Sequence, residues 1–400
     1  MKNWFRIGLF NLILVALYGM VMRYKIAFDF PLFDQKNLLH AHSHFAFSGW
    51  LSHFLYAALL YIIHPYLNKQ QLKKYNVLII ANLVCAFGML VAFTIQGYKF
   101  VSIALSTASI VVAVFYAWYF IRDSKYLPAA DASKPWAVWG LILNVLASAG
   151  PFSLAYMIAT KNISHEIYLG SIYYYLHFQY SGWFFFATVA VAAHLFSPVS
   201  AFVKPYFKFF AITVIPTFFL SILWAKLPMW LYVITVVATF FQLGAWILLL
   251  RKIWAVVRQS QGVKNNWSTV FFGAAALAVT FKFILQAVSV VPSLSQLVFG
   301  FRPIVIAYLH LVLLGVYSLF IIGYLFQTGY IRTTKANKAA SCCFLAGVVL
   351  NEAFLATQGI GAFSYLPVPY INEMLLGAAV VLCGSAAWLF LLNRRQKQIL

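Results

Sequence analysis

Residues 38–65 read LLHAHSHFAFSGWLSHFLYAALLYIIHP. At 1.5 Å per residue such an apolar run is long enough to cross a bilayer as a helix. Yet its first third holds His40, His42 and His44, and His53 and His64 follow. Imidazoles are costly among lipid tails, so something must compensate them. The stretch therefore says two things at once: the chain is a membrane protein, and these histidines have something to bind.

Similar runs recur along all 400 residues, which are 64% hydrophobic and only 9% charged, a balance that soluble domains do not have. The runs do not alternate polar and apolar residues, which excludes a β-barrel. Twelve spans are expected near 5–22, 40–63, 76–97, 101–121, 136–159, 169–196, 205–224, 229–250, 267–290, 303–327, 340–358 and 371–392. The connections are short, so residues 1–400 form one integral membrane domain with no soluble one. The N-terminal run lacks a small-x-small cleavage site and is read as a retained first span.

The formal charge of +21 comes from short Lys and Arg clusters between apolar runs, so it marks membrane loops and excludes a nucleic-acid partner. One side of the membrane would carry Lys2, Arg6, Lys69, Lys73, Lys74, Arg122, Lys125, Lys134, Lys204, Lys208, Arg251, Lys252, Arg258, Lys264, Arg332, Lys335, Lys338, Arg394, Arg395 and Lys397. The other has only Arg23, Lys25, Lys36, Lys99, Lys161, Lys226 and Arg302. The first side is cytoplasmic by the positive-inside rule, with both termini on it, and the setting is a bacterial cytoplasmic (inner) membrane. Cys85, Cys342, Cys343 and Cys383 form no CxxC and read as small apolar residues.

Spans two, six and ten each carry a histidine followed five residues later by glycine. The stretches are HFAFSG from His44, HFQYSG from His177 and HLVLLG from His310. His177 lies 133 residues after His44, and His310 lies 133 after His177. Equal spacing predicts three pseudo-equivalent units of four helices, with the three histidines at similar depth on equivalent inner helices. Glycine beside each would let a flat cofactor or another helix come close.

On span two, His40 and His44 are four apart and share a face, while His42 and His53, eleven apart, share another. One face would serve a heme; the other could bind a metal, a second heme or heme propionates. A single such histidine would read as a buried imidazole bonded to a carbonyl, and His40 as an interfacial residue facing water, whereas the three matched ones read as ligands. Arg302, Lys36, Arg23 and Lys25 lie near this layer and could pair with propionates, bidentately from the two guanidinium groups, or simply snorkel. Lys282 is the one Lys or Arg well inside a span, and pairing with Glu352 at similar depth would avoid two lone buried charges.

Twelve spans with histidine near the outer face of helices two, six and ten resemble the heme–copper oxidase superfamily. HSHFAFSGW from His42 is similar to the H-x-H-x-A-F-x-G stretch that its nitric oxide reductases carry on helix ten. HAHSHFAFSG from His40 is similar to the H-A-H opening of the NnrS family of membrane heme proteins. The resemblance implies a low-spin b-type heme held by His44 or His42 together with His310, and a copper-ligand position at His177. It departs at the seventh span, which has no histidine, and at His310, which stands without a neighbour. Copper needs about three nitrogen ligands, so a complete dioxygen-reducing centre is not expected. The implied partners are the lipid bilayer, a quinol or cytochrome electron donor and a small gas such as nitric oxide. The sequence contains no C-x-x-C-H, which excludes c-type heme. The expected function is electron transfer or gas chemistry, with oxidoreductase activity open. The rival readings are a transporter of a metal ion or proton-coupled solute, and a partner subunit with no site of its own.

Overall fold

The computed structural model describes residues 2–259, 266–294 and 302–394, which contain no strand. Lys264, Arg395 and Lys397 lie outside the described residues. Numbered in chain order, the helices are α1 (Lys2–Ala27), α2 (Gln35–Tyr66), α3 (Lys69–Gln96), α4 (Phe100–Asp123), α5 (Ser133–Thr160) and α6 (165–195). They continue with α7 (197–222), α8 (Met229–Gln259), α9 (Ser268–Val288), α10 (Arg302–Gln327), α11 (Lys335–Phe363) and α12 (Ile371–Asn393). Among the described residues, ten helices are long and apolar enough to cross a membrane, and the bent pair in α7 makes an eleventh if counted as one span. The chain is a multi-pass helical membrane protein, since each helix satisfies its own backbone groups among lipid tails.

Local chemistry sets the ends. Asp34 accepts a bond from the Asn37 amide at the start of α2, and Asn68 and Gln71 form a reciprocal capping box at the start of α3. Gly97 closes α3 at φ +64°, and a Cβ there would stand 2.3 Å from the Asn37 amide oxygen. That position accepts only glycine. In α7, Pro216 has no N–H and the helix bends by 48°.

Successive helices pack on one another, and α1 closes the ring against α12. Helix α2 is enclosed, its most apolar window 94% buried, and α6 and α10 meet it at the centre. The inner helices are tied by polar bonds. The Trp50 indole donates to Ser318 (3.0 Å), the Trp183 indole donates to Ser52 (3.1 Å), and the Tyr317 hydroxyl donates to the Tyr180 carbonyl.

Each inner helix widens into a π-helical stretch shortly beyond its histidine: Ala46–Ser52, Phe178–Trp183 and Leu311–Ser318. A π turn shifts the backbone register, and its carbonyls become available to other helices. Ser48 O accepts from Asn82, Gly49 O from Asn11 and Tyr180 O from Tyr317. The neighbouring glycines serve helix contact: a Cβ at Gly182 would stand 3.0 Å from Leu143 of α5, and one at Gly315 would stand 3.2 Å from Ala278 of α9.

The expected Lys282–Glu352 pair does not form. Lys282 donates to Gln286 at 3.0 Å and lies over the Phe283 ring, while Glu352 accepts from Asn351 at 3.1 Å. The reason is topological: α10 packs against both α9 and α11, the helices that carry Lys282 and Glu352.

Candidate functional site: the buried histidines

The three histidines that open α2 point two ways, as residues two apart on a helix must. His40 and His44 share a face against the end of α3. His44 Nε2 bonds the Tyr98 hydroxyl at 2.9 Å and its ring stacks on Phe93 (4.4 Å), while His40 meets Tyr98 edge-on at 4.5 Å. His42 and His53 share the face turned to α1. His42 Nδ1 bonds the Val15 carbonyl at 3.1 Å, and His53 Nε2 bonds the Trp4 carbonyl at 2.9 Å.

A carbonyl oxygen only accepts, so the ring nitrogen facing it carries the proton. His42 is thus protonated at Nδ1, and its Nε2 lone pair is free. His310 has the same arrangement, with Nδ1 donating to the Ile306 carbonyl one turn back at 2.8 Å. Among the described residues, Nε2 of neither ring makes a hydrogen bond.

These two rings lie within electrostatic range of each other, and Arg23 of α1 lies within range of both. They sit where the packing is more open. His42, residues 16–23 of α1 and residues 303–311 of α10 are all only half-buried. Gly19 gives the His42 ring its place, since a Cβ there would stand 3.4 Å from ring carbon Cε1. Arg302 is exposed at the first position of α10, two turns from His310.

His177 is wired the other way. Its Nε2 donates to the Val214 carbonyl at 2.8 Å, and its fully buried Nδ1 makes no hydrogen bond. Val214 lies at the bend of α7. The Phe218 amide bonds Ile215 O instead, which leaves the Val214 carbonyl to His177 and to the Thr217 hydroxyl (3.2 Å). Lys282 is within electrostatic range of His177. Among the described residues, no three His, Cys, Asp or Glu side chains gather as a set able to hold a metal ion.

The other histidines are engaged at the periphery. His64 is bonded to the Tyr61 carbonyl, and His194 faces Asp131 at 3.9 Å. Burial alone would raise the Asp131 carboxyl, but the neighbouring His194 and hydrogen bonding from Ser133 outweigh it and bring the group down to about 2. His165 opens α6.

The sequence places the right histidines on the two faces of α2, but it does not say which face meets α10. The structure turns His42, not His44, toward His310. It also brings in Arg23, one of four outward cations that composition alone leaves equal. Tyr98 is a partner that sequence reading missed, because it lies on a loop 54 residues from His44.

No protein-family model matches the chain, and no curated protein matches it at a significant level.

Proposed function

We propose that this chain is a heme-binding protein of a bacterial cytoplasmic membrane, with a b-type heme between α1, α2 and α10. His42 and His310 would hold it. The observation that carries this reading is the wiring of those two rings. Metal-bound histidines almost always give their other ring N–H to a carbonyl or carboxylate, which fixes the tautomer and the ring plane. Val15 O and Ile306 O do that here, each leaving Nε2 for the iron. Gly19 leaves room for the His42 ring, and the Arg23 guanidinium offers a propionate a charged partner. Bound iron of this kind supplies a one-electron couple. Held by two histidines, the group would favour electron transfer over gas binding.

The same reading includes twelve crossings in three four-helix units, with both termini cytoplasmic. Support comes from the π-helical stretches, which begin one or two residues after His44, His177 and His310. The Trp–Ser bonds add to it. Trp183 stands 133 residues after Trp50, and Ser318 stands 266 after Ser52, so both bonds join the same two positions in different units. His177 takes no heme in this proposal, and copper is not assigned to it. Its role is to hold the bend of α7.

The test is the dithionite-reduced minus oxidised spectrum of protein purified from heme-replete cells, for the wild type and for His42→Ala, His310→Ala and His64→Ala. A sharp alpha band that is lost in the first two variants and kept in the third is the expected result. A flat wild-type spectrum overturns the reading and moves the question to solute transport.

A further inference from the structure

The face of α2 that carries His40 and His44 takes no part in the heme site proposed above. Residues four apart on a helix stand one above the other, about 5–6 Å apart at Cβ. Two histidines at that spacing can chelate one divalent ion, as they do on the helix of the H-E-x-x-H zinc enzymes. Both rings also lie against Tyr98. His44 Nε2 is 2.9 Å from the Tyr98 oxygen, and the His40 ring meets the phenol edge-on at 4.5 Å between centroids. Two ligands bound to one ion at about 2.0–2.1 Å, at angles of roughly 90–110°, stand about 2.8–3.4 Å apart. Exchanging the phenol proton for an ion therefore needs no large movement of His44 or Tyr98. Among the described residues, neither ring nitrogen of His40 has a hydrogen-bond partner.

Tyr98 is held in place from behind. Gly97 turns the chain at φ +64°, and the Asn37 amide of α2 fills the space that a Cβ there would need. The buried Ser102 hydroxyl donates to the Gly97 carbonyl (2.6 Å) and accepts from the Lys99 amide (3.0 Å). Phe93 stacks on His44 at 4.4 Å and meets Tyr98 edge-on at 4.8 Å. Ligands fixed by their own neighbours are already in place when an ion arrives. The cluster is also open to entry, since Tyr98 is exposed and both histidines are only half-buried. Asp34 and Lys36 are the charged neighbours of His40, and their effects on a cation oppose each other.

We propose that His40, His44 and Tyr98 form a binding site for a divalent transition-metal ion at the N-terminal end of α2, with water in the remaining positions. Imidazole suits zinc and copper, and three protein ligands with one open position is a common zinc arrangement. The third ligand is a phenol, so the site does not conflict with the absence of a set of three His, Cys, Asp or Glu among the described residues. On binding, the Tyr98 O–H bond breaks, the phenolate oxygen bonds the ion, and the proton leaves to water. No electron is transferred. An ion held there would tie α2 to the connection between α3 and α4. The site needs no heme, because His40 and His44 face α3 and not His42.

The test is calorimetric titration of the full-length protein in detergent with Zn²⁺, followed by electron paramagnetic resonance with one equivalent of Cu²⁺. The wild type should bind one Zn²⁺ in the micromolar range, release a proton, and hold Cu²⁺ with two imidazole nitrogens. His40→Ala and His44→Gln should each weaken Zn²⁺ by at least about tenfold. Glutamine at 44 can still accept from Tyr98, so the packing there keeps its bond. Tyr98→Phe should weaken Zn²⁺ and abolish the released proton, while His64→Ala should change nothing. Heme absorbance should be the same in all four variants as in the wild type, which separates this site from the one at His42. Absence of Zn²⁺ binding overturns the proposal. So does binding that either His40→Ala or Tyr98→Phe leaves unchanged, and so does loss of heme in His44→Gln with Zn²⁺ binding kept.

Discussion

His42 and His310 give Nδ1 to a backbone carbonyl and keep Nε2 free, whereas His177 and His53 give Nε2 and keep Nδ1. The first pair lies in half-buried surroundings with an arginine in electrostatic range of both rings. His177 and His53 are wholly enclosed. Nε2 is the nitrogen that reaches furthest from the backbone, so a ring anchored through Nδ1 presents its lone pair outward toward a ligand. A ring anchored through Nε2 spends its reach on tying two helices together. The four histidines thus divide into two whose Nε2 is left unbonded and two that tie helices together.

The largest expected effect separates these pairs outright. His42→Ala and His310→Ala should each abolish the heme absorbance of the purified protein, while His177→Ala leaves it intact. Loss of heme in His177→Ala with retention in His42→Ala would invert the division. Gly19→Val comes next. Its branched side chain would push against the His42 ring and should weaken heme binding by roughly 10- to 100-fold, the range seen when groups that orient a ligand are disturbed. Heme titration of the apoprotein measures it.

On the framework side, His177→Ala removes one of the two donors to Val214 O and leaves that carbonyl with the Thr217 hydroxyl alone. Losing that bond costs about 0.5–1.5 kcal/mol. The midpoint of thermal unfolding in detergent should fall, with no change in the spectrum. Arg23 bears on the heme side again. Removing a cation near the iron favours the more positive oxidised state, so Arg23→Gln should lower the midpoint potential. A tenfold change in the one-electron equilibrium corresponds to roughly 59 mV. Redox titration decides; an unmoved potential would place Arg23 away from the cofactor.

Much of this was legible in the residues, and the remainder failed for identifiable reasons. Hydropathy marks the helices well, because a helix in lipid must be apolar for its whole length. The pairing of His40 with His44, and of His42 with His53, follows from helical periodicity. What periodicity cannot supply is azimuth: which face of α2 turns to α1 and α10 depends on how the helices rotate when they pack. Equal spacing favoured His44 because it aligns with His177 and His310, yet ring wiring is set by carbonyls at Val15 and Val214 that no pattern reveals. Lys282 and Glu352 matched in depth but not in neighbourhood, since α10 packs against both of their helices. The buried amide bonds left a trace in Asn82, Asn144 and Gln179, amides inside apolar runs, which need partners in lipid.

The smallest effect tests whether the frame repeats. Trp50 to Ser318 and Trp183 to Ser52 are the same bond made twice around the centre. The third member of the cycle would join positions 316 and 185, which are the buried Val316 and Phe185 and have no groups to make that bond. Hydrogen bonds between helices in a membrane average about 0.6 kcal/mol, because the unfolded state in lipid also finds partners. Ser52→Ala and Ser318→Ala should therefore each cost about that much in unfolding experiments. If the three inner helices are equivalent, the two losses should be equal and should add in the double variant, since the bonds share no atom. A marked inequality would mean that one joint carries the bundle and that the likeness of the units is one of sequence offset alone.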